Sequence, residues 1–164
     1  MSGKNAGCRP LADIVTSAVR SRMMASIGPT NTKPEMIIRL GLHGLGWRYR
    51  LHVKNLPGKP DLVFPARRAL ILVQGCFWHG HDCALFRWPA TREEFWRNKL
   101  TGNVARDRRV REQLLELGWR VLEVWECTLK GRNRLPLEEV LAGCVRFLES
   151  EERFAWIGED RTVC

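Results

Sequence analysis

Between Val73 and Cys83 the chain reads Val-Gln-Gly-Cys-Phe-Trp-His-Gly-His-Asp-Cys. Two thiols, two imidazoles and two large aromatics are packed into eleven residues. A buried strand does not normally end this way, and short Cys/His clusters are most often metal sites. Cys76, His81 and Cys83 supply three ligands of the kind zinc favours, and a closed structural zinc site takes four. Cys127, just past a later apolar segment, is the natural fourth. The other reading of the cluster is a set of free thiols. Of the six cysteines, Cys8, Cys144 and Cys164 have no nearby ligand and read as buried or incidental thiols.

Two carboxylates stand out on other grounds. Pro60 favours extended backbone for its predecessor and opens a strand-like run, so Asp61 sits at a strand mouth where a carboxylate can face a cleft; alone, it is as readily a turn aspartate. Asp107 falls within the stripe Val104, Val110, Leu114 and Leu117, which steps by threes and fours. That phase points Asp107 inward, and an inward charge needs a partner. His79 is one candidate, and a His held by a carboxylate is a common general-base arrangement. Arg106, Arg109 and Arg111 are the others. Phe77, Trp78 and Trp96 lie in polar, basic segments, where aromatics either pack into the core or stack on and wedge between bases.

The elements that must position these residues can be read from period and punctuation. A weakly apolar helical pattern carrying Arg20 and Arg22 spans about 11–27. Thr32 to Glu35 resembles a capping box, opening a helix that Gly44 or Gly46 ends. Trp47 to Leu51 alternates as a strand. Asp61 to Phe64 is a second, and Ala69 to Val73 is a continuous apolar run suited to a strand covered on both faces. Thr91 to Glu94 looks like another capping box, opening a helix with Phe95 and Trp96. A separate helix runs from about Asn103 to Leu117, a strand from Trp119 to Trp125, and a last amphipathic helix from Leu137 to Leu148. This order predicts an α/β fold, a mixed sheet flanked by helices on both sides. A single domain over 1–164 is expected, with a tail from about 151 to 164.

Bulk properties narrow the partners. The 164 residues carry 27 Lys+Arg against 18 Asp+Glu, a net charge of +9, with a pI near 9.8. A basic surface steers and holds phosphates. No apolar run approaches the roughly 18–20 residues of a membrane span, and MSGKNAGCRP lacks the apolar stretch of a signal peptide, so a cytoplasmic address is expected. There a disulfide framework is unexpected.

Five runs together, PGKPDLVF, LILVQGCFWHGHDCALF, PATREEFW, NVARDRR and LGWRVLEVWEC, resemble the very-short-patch repair (Vsr) endonucleases. The match extends from about Arg20 to Arg132. The resemblance implies a restriction-endonuclease-like fold with a structural zinc site. It also implies nicking of double-stranded DNA on the 5′ side of the thymine in a T:G mismatch left by deaminated 5-methylcytosine. By the same resemblance, Asp61 and the carbonyl of Val73 would hold Mg2+. Glu35 would hold water on the metal, and His79, oriented by Asp107, would be the base. Cys76, His81, Cys83 and Cys127 would hold Zn2+. Met24 and Ile27, from a DNA-contacting segment over 1–28, would enter the DNA with Phe77, Trp78 and Trp96. One departure is Gln74, where the family often has histidine; an amide hydrogen-bonds water but takes up no proton at neutral pH. Glu35 has a second reading, as the capping residue of its helix. The implied protein is a bacterial monomer, nucleoid-associated when acting and functionally linked to a cytosine-5 DNA methyltransferase. A sequence-specific endonuclease acting on intact duplex would use the same catalytic parts, and a non-catalytic zinc-bearing DNA-binding module is the reading from another class.

Overall fold

The computed structural model describes residues 30–159. The chain divides into two compact units, Met1–Thr32 and Lys33–Cys164, and every helix and strand named below belongs to the second. Met24, Ile27 and the rest of the expected segment 1–28 lie outside the described residues, as do Cys8 and Cys164.

The elements run α1 (Lys33–Gly44), β1 (Arg50–Leu51), β2 (Leu62–Phe64), β3 (Ala69–Gln74), α2 (Glu93–Glu116), β4 (Arg120–Trp125), α3 (Leu137–Glu149) and β5 (Phe154–Ile157). The five strands lie side by side in chain order. β1, β2 and β3 pair antiparallel, whereas β3, β4 and β5 pair parallel. The switch follows from the connections. A short link returns the chain antiparallel, but parallel neighbours need a long crossover, and α2 and α3 supply those two crossovers.

Period-2 alternation on β3 divides the core. Ala69 and Ile71 join Ile38 and Leu42 of α1 and Val140, Cys144, Phe147 and Leu148 of α3 on one face. Leu70 and Leu72 join Val63, Val121 and Leu114 of α2 on the other. β3 is thus covered on both faces, as its unbroken apolar run requires. Cys144 is a fully buried core thiol, and burial pushes it up to about 12.

Four expectations need correction. The helices expected from Thr91 and from Asn103 are one continuous 24-residue helix, α2. Gly102 does not break it, because one glycine costs only about 1 kcal/mol and buried Leu100 and Leu114 anchor both halves. The Thr91–Glu94 capping box is not the start of that helix: Arg92 occupies the N-cap at φ 54°, with no side-chain cap hydrogen bond. Of Trp47 to Leu51 only Arg50 and Leu51 pair as strand, while Trp47 and Tyr49 turn edge-on to Phe64 in the core. The stretch from 151, expected to be tail, contributes β5, a parallel edge strand whose Phe154 pairs with Val121 and Ile157 with Val124. For α1, the open choice of terminator falls on Gly46, which takes φ 90°.

Candidate active site

Asp61 immediately precedes β2, and antiparallel pairing of Leu62 with Ile71 sets it across from the end of β3. Its Oδ2 accepts the Val73 N–H at 2.8 Å. Burial pushes the Asp61 carboxyl up to about 6; Glu35 adds to the rise, while the Val73 N–H, His52 and His79 oppose it. Glu35 stands in the first turn of α1 and is almost wholly buried. Its Oε1 lies 3.2 Å from Arg39 Nη1 and 3.1 Å from His52 Nε2, and His52 Nδ1 lies 4.0 Å from Asp61 Oδ1. Glu35, His52 and Asp61 can each bring a ligand atom within 4.8 Å of the other two. His52 Nε2 is buried without an aligned hydrogen-bond partner among the described residues, although Glu35 is near. Two carboxylates around an orphaned ring nitrogen fit a divalent cation.

The loop after β3 is wound tightly. His79 N–H donates to the Gly75 carbonyl and His81 N–H to that of Cys76, and Gly80 takes φ 60°. α2 fixes the loop from the side: Asn103 Nδ2 donates to the Trp78 carbonyl at 2.9 Å. His79 Nδ1 meets Asp107 Oδ2 at 2.5 Å. Arg106 Nη2 is 3.7 Å from the other oxygen of Asp107, so of the four candidate partners His79 and Arg106 approach the carboxylate, while Arg111 pairs with Glu123. With Nδ1 committed as donor to a carboxylate, Nε2 is the nitrogen left to accept a proton. Gln74 is buried at the last position of β3, paired with Trp125 of β4.

The structure also gathers Phe77, Trp78 and Trp96. Phe77 stands edge-on to Trp78 at 5.2 Å and to Trp96 at 5.3 Å. All three are half-buried rather than core. Lys99 Nζ lies over Trp78 and Trp96 at 5.4 and 5.6 Å, which places a cation at the edge of the aromatic cluster.

Cys76, His81, Cys83 and Cys127 converge, their ligand atoms within 4.8 Å of one another. Cys127 Sγ is 3.7 Å from His81 Nδ1. Two such ligands on one tetrahedral zinc would stand about 3.6 Å apart. The Cys76 thiol, His81 and the Glu159 N–H hold Cys127 well below the usual thiol range, against its burial. Cys76 is correspondingly pushed up by Cys127 and by burial. His81 stacks on Trp125 at 4.1 Å. The thiols are buried against Leu85, Phe86 and Trp125, so the cluster links the loop after β3 to the end of β4.

Sequence reasoning missed two residues here. His52 has no ligand-like spacing to anything; only its φ of 46° after β1 and the fold bring it to Asp61. Glu123, on an apolar strand, is buried and paired with Arg111 Nη1 at 3.1 Å. Burial raises its carboxyl, and Arg111 opposes that.

The sheet end of this mixed α/β domain thus carries a carboxylate cluster, a His–Asp pair and a Cys/His cluster, two of which could hold a metal ion. The comparisons define it further. Residues 12–85 match the family model described as DNA mismatch endonuclease Vsr. The DNA mismatch endonuclease Vsr of Escherichia coli (strain K12) is 48% identical over 128 residues, 78% of this chain and 82% of that protein. The type II nicking enzyme V.XorIIP of Xanthomonas oryzae pv. oryzae is 44% identical over 125 residues, 76% of this chain and 92% of that protein. The type II nicking enzyme V.NaeI of Lentzea aerocolonigenes is 44% identical over 118 residues, 67% and 69% of the two chains. The chain belongs to the Vsr family of DNA mismatch endonucleases. That family consists of DNA-cleaving hydrolases working in mismatch repair.

Proposed function

We propose that this protein nicks duplex DNA on the 5′ side of the thymine of a T:G mismatch, in very-short-patch repair of deaminated 5-methylcytosine. The observation that carries the reading is the placement of Asp61 against the end of β3, through the Val73 N–H, with the His79–Asp107 pair in the loop that leaves that same strand. The names of its relatives, a mismatch endonuclease and nicking enzymes, support cleavage of one strand.

Asp61 and the Val73 carbonyl would hold Mg2+, which when bound would supply charge neutralisation for the phosphate and a lower cost of making water a nucleophile. Glu35 orients the water, and Gln74 contributes a hydrogen bond. His79 Nε2 accepts the water's proton while Asp107 holds the ring by Nδ1 and stabilises the cation that forms. Phe77, Trp78 and Trp96 enter the duplex beside the mismatch, with Met24 and Ile27 of segment 1–28 approaching from elsewhere on the DNA. A wobble pair is cheaper to disturb than a matched one, by a few kcal/mol per step at most, and this selects the substrate. Cys76, His81, Cys83 and Cys127 would hold Zn2+ as a structural ion, since four protein ligands would leave no position open to substrate. The domain is restriction-endonuclease-like, acts as a monomer in the bacterial cytoplasm on nucleoid DNA, and serves sites modified by a cytosine-5 DNA methyltransferase.

The decisive assay incubates the protein and Mg2+ with one labelled duplex carrying T:G and with its C:G twin. A nick confined to the thymine strand of the first is expected. Equal cutting of both duplexes would make this a sequence-specific endonuclease, and no cutting of either would remove the catalytic reading.

A further inference from the structure

We propose that His52 is a direct nitrogen ligand of the divalent cation held by Asp61, with Glu35 binding that ion directly instead of through water, so that the centre favours Mn2+ over Mg2+; this rests on the reading of Asp61 as a cation ligand and replaces the water-orienting role given to Glu35 above. His52 Nε2 is a buried polar atom with no hydrogen-bond partner among the described residues. Buried polar atoms are rarely left unsatisfied, and those that are ask for an explanation such as an ion. The atom stands 3.1 Å from Glu35 Oε1 without the alignment of a hydrogen bond. Two adjacent ligands on an octahedral ion with bonds of about 2.1 Å are about 3.0 Å apart, so the spacing is that of a shared cation. Arg39 Nη1 lies 3.2 Å from the same oxygen, but a carboxylate offers about four lone-pair sites and can accept both.

The backbone supports the same conclusion. His52 adopts φ 46°, a left-handed conformation that is uncommon outside glycine and recurs where a side chain must be aimed. The turn after β1 sends the ring between α1 and the start of β2, toward both carboxylates. The end of β3 contributes Gln74, an amide without a basic nitrogen, so His52 is the residue that brings imidazole to the cluster.

The consequence is a metal preference. Carboxylate and carbonyl oxygens suit Mg2+, whereas an imidazole nitrogen raises affinity for first-row transition ions. A site of two carboxylates and one imidazole therefore gains more for Mn2+ than for Mg2+.

The test uses full-length, zinc-loaded protein and Mn2+ alone, followed by electron paramagnetic resonance. Wild type should bind one Mn2+ that shows 14N hyperfine coupling from a coordinated imidazole. His52→Gln should lose that coupling and bind Mn2+ about tenfold or more weakly, with Mg2+ affinity, read by competition, changed about threefold or less. Asp61→Ala should lose the ion altogether. Absence of 14N coupling in wild type, which depends on no variant folding, overturns the proposal. So does equal Mn2+ binding by wild type and His52→Gln when Asp61→Ala has lost it, and that result leaves Asp61 as a ligand. If Asp61→Ala also retains Mn2+, the ion sits elsewhere, and both this proposal and the reading of Asp61 fail.

Discussion

Asp61 illustrates how one side chain serves two opposed demands. Burial lifts its carboxyl to about 6 from an ordinary 3.8, so without a cation the ionised form is disfavoured in the folded protein. A rise of that size costs the charged form about 3 kcal/mol. The penalty is absent below the unfolded value and complete above the folded one. Asp61→Asn should therefore stabilise zinc-loaded protein without added Mg2+ by up to about 3 kcal/mol at pH 7, and not at all near pH 3.8. Denaturant unfolding at the two pH values reads this directly. A cation must displace the proton, so Mg2+ affinity and nicking should both weaken as pH falls through about 6. The same variant should not nick at any pH. His79 gives a second residue-scale expectation. Asp107 holds Nδ1 at 2.5 Å and so sets the orientation of the ring. Asp107→Asn keeps the shape and loses the charge, so kcat should fall about 10²- to 10⁴-fold with little change in melting temperature. Unchanged single-turnover nicking by Asp107→Asn would take the base role from His79.

At the scale of elements, the sequence was legible wherever a local pattern matched its environment. β3 read as a covered strand because both faces are apolar. The stripe expected to carry Asp107 inward is buried only at Leu114, with Val104 and Leu117 exposed, and Asp107 is half-buried through its contact with His79. Cys76, His81 and Cys83 were legible from their spacing, and Cys127 from its place just past the segment that forms β4. What stayed hidden depends on distant chain. The stretches opening near Thr91 and Asn103 looked like separate helices, yet leucines on either side of Gly102 anchor them as the single α2. β5 is four residues of edge strand with charged neighbours, and only the waiting edge of β4 makes it a strand. His52 reached the carboxylates through a left-handed turn that no side-chain pattern encodes. The Cys/His cluster joins the loop after β3 to the end of β4, so Cys127→Ser should reduce zinc content below the one ion per chain expected of wild type. It should also lower thermal stability well beyond the loss of one buried thiol, because structural zinc contributes folding energy outright. Full zinc by elemental analysis in Cys127→Ser would exclude it as a ligand. Trp78 is pinned by its own carbonyl to Asn103 and leaves its ring half-buried. Trp78→Ala should therefore cost less than the roughly 3–5 kcal/mol of a core tryptophan, retain zinc, and narrow the T:G to C:G nicking ratio. A strongly destabilised variant with an unchanged ratio would make Trp78 a packing residue and move the wedge elsewhere.

Over the whole molecule, 27 basic side chains face 18 acidic ones, and several of the cations frame the aromatic cluster. Lys99 lies over Trp78 and Trp96, Arg92 over Phe95 at 4.4 Å and Arg97 over Trp88 at 4.8 Å. Under the proposed function these cations meet phosphates while the rings between them meet bases. The two kinds of contact respond differently to salt. Phosphate contacts release condensed counterions, so log K should fall against log salt with a slope of about −0.9 per neutralised phosphate. Ring insertion releases none, and its cost is the unstacking that the mismatch lowers. Binding to T:G and C:G duplexes should therefore follow two parallel lines with the same steep slope, separated by a constant preference for the mismatch. Fluorescence anisotropy over about 50–200 mM salt, in Ca2+ or without divalent ion to prevent cutting, measures both lines; affinity should drop about 10³- to 10⁵-fold over that range if six to ten phosphates are neutralised. Lines that converge as salt rises would mean that mismatch preference is itself carried by ion pairs, and the rings would then not be the discriminating element.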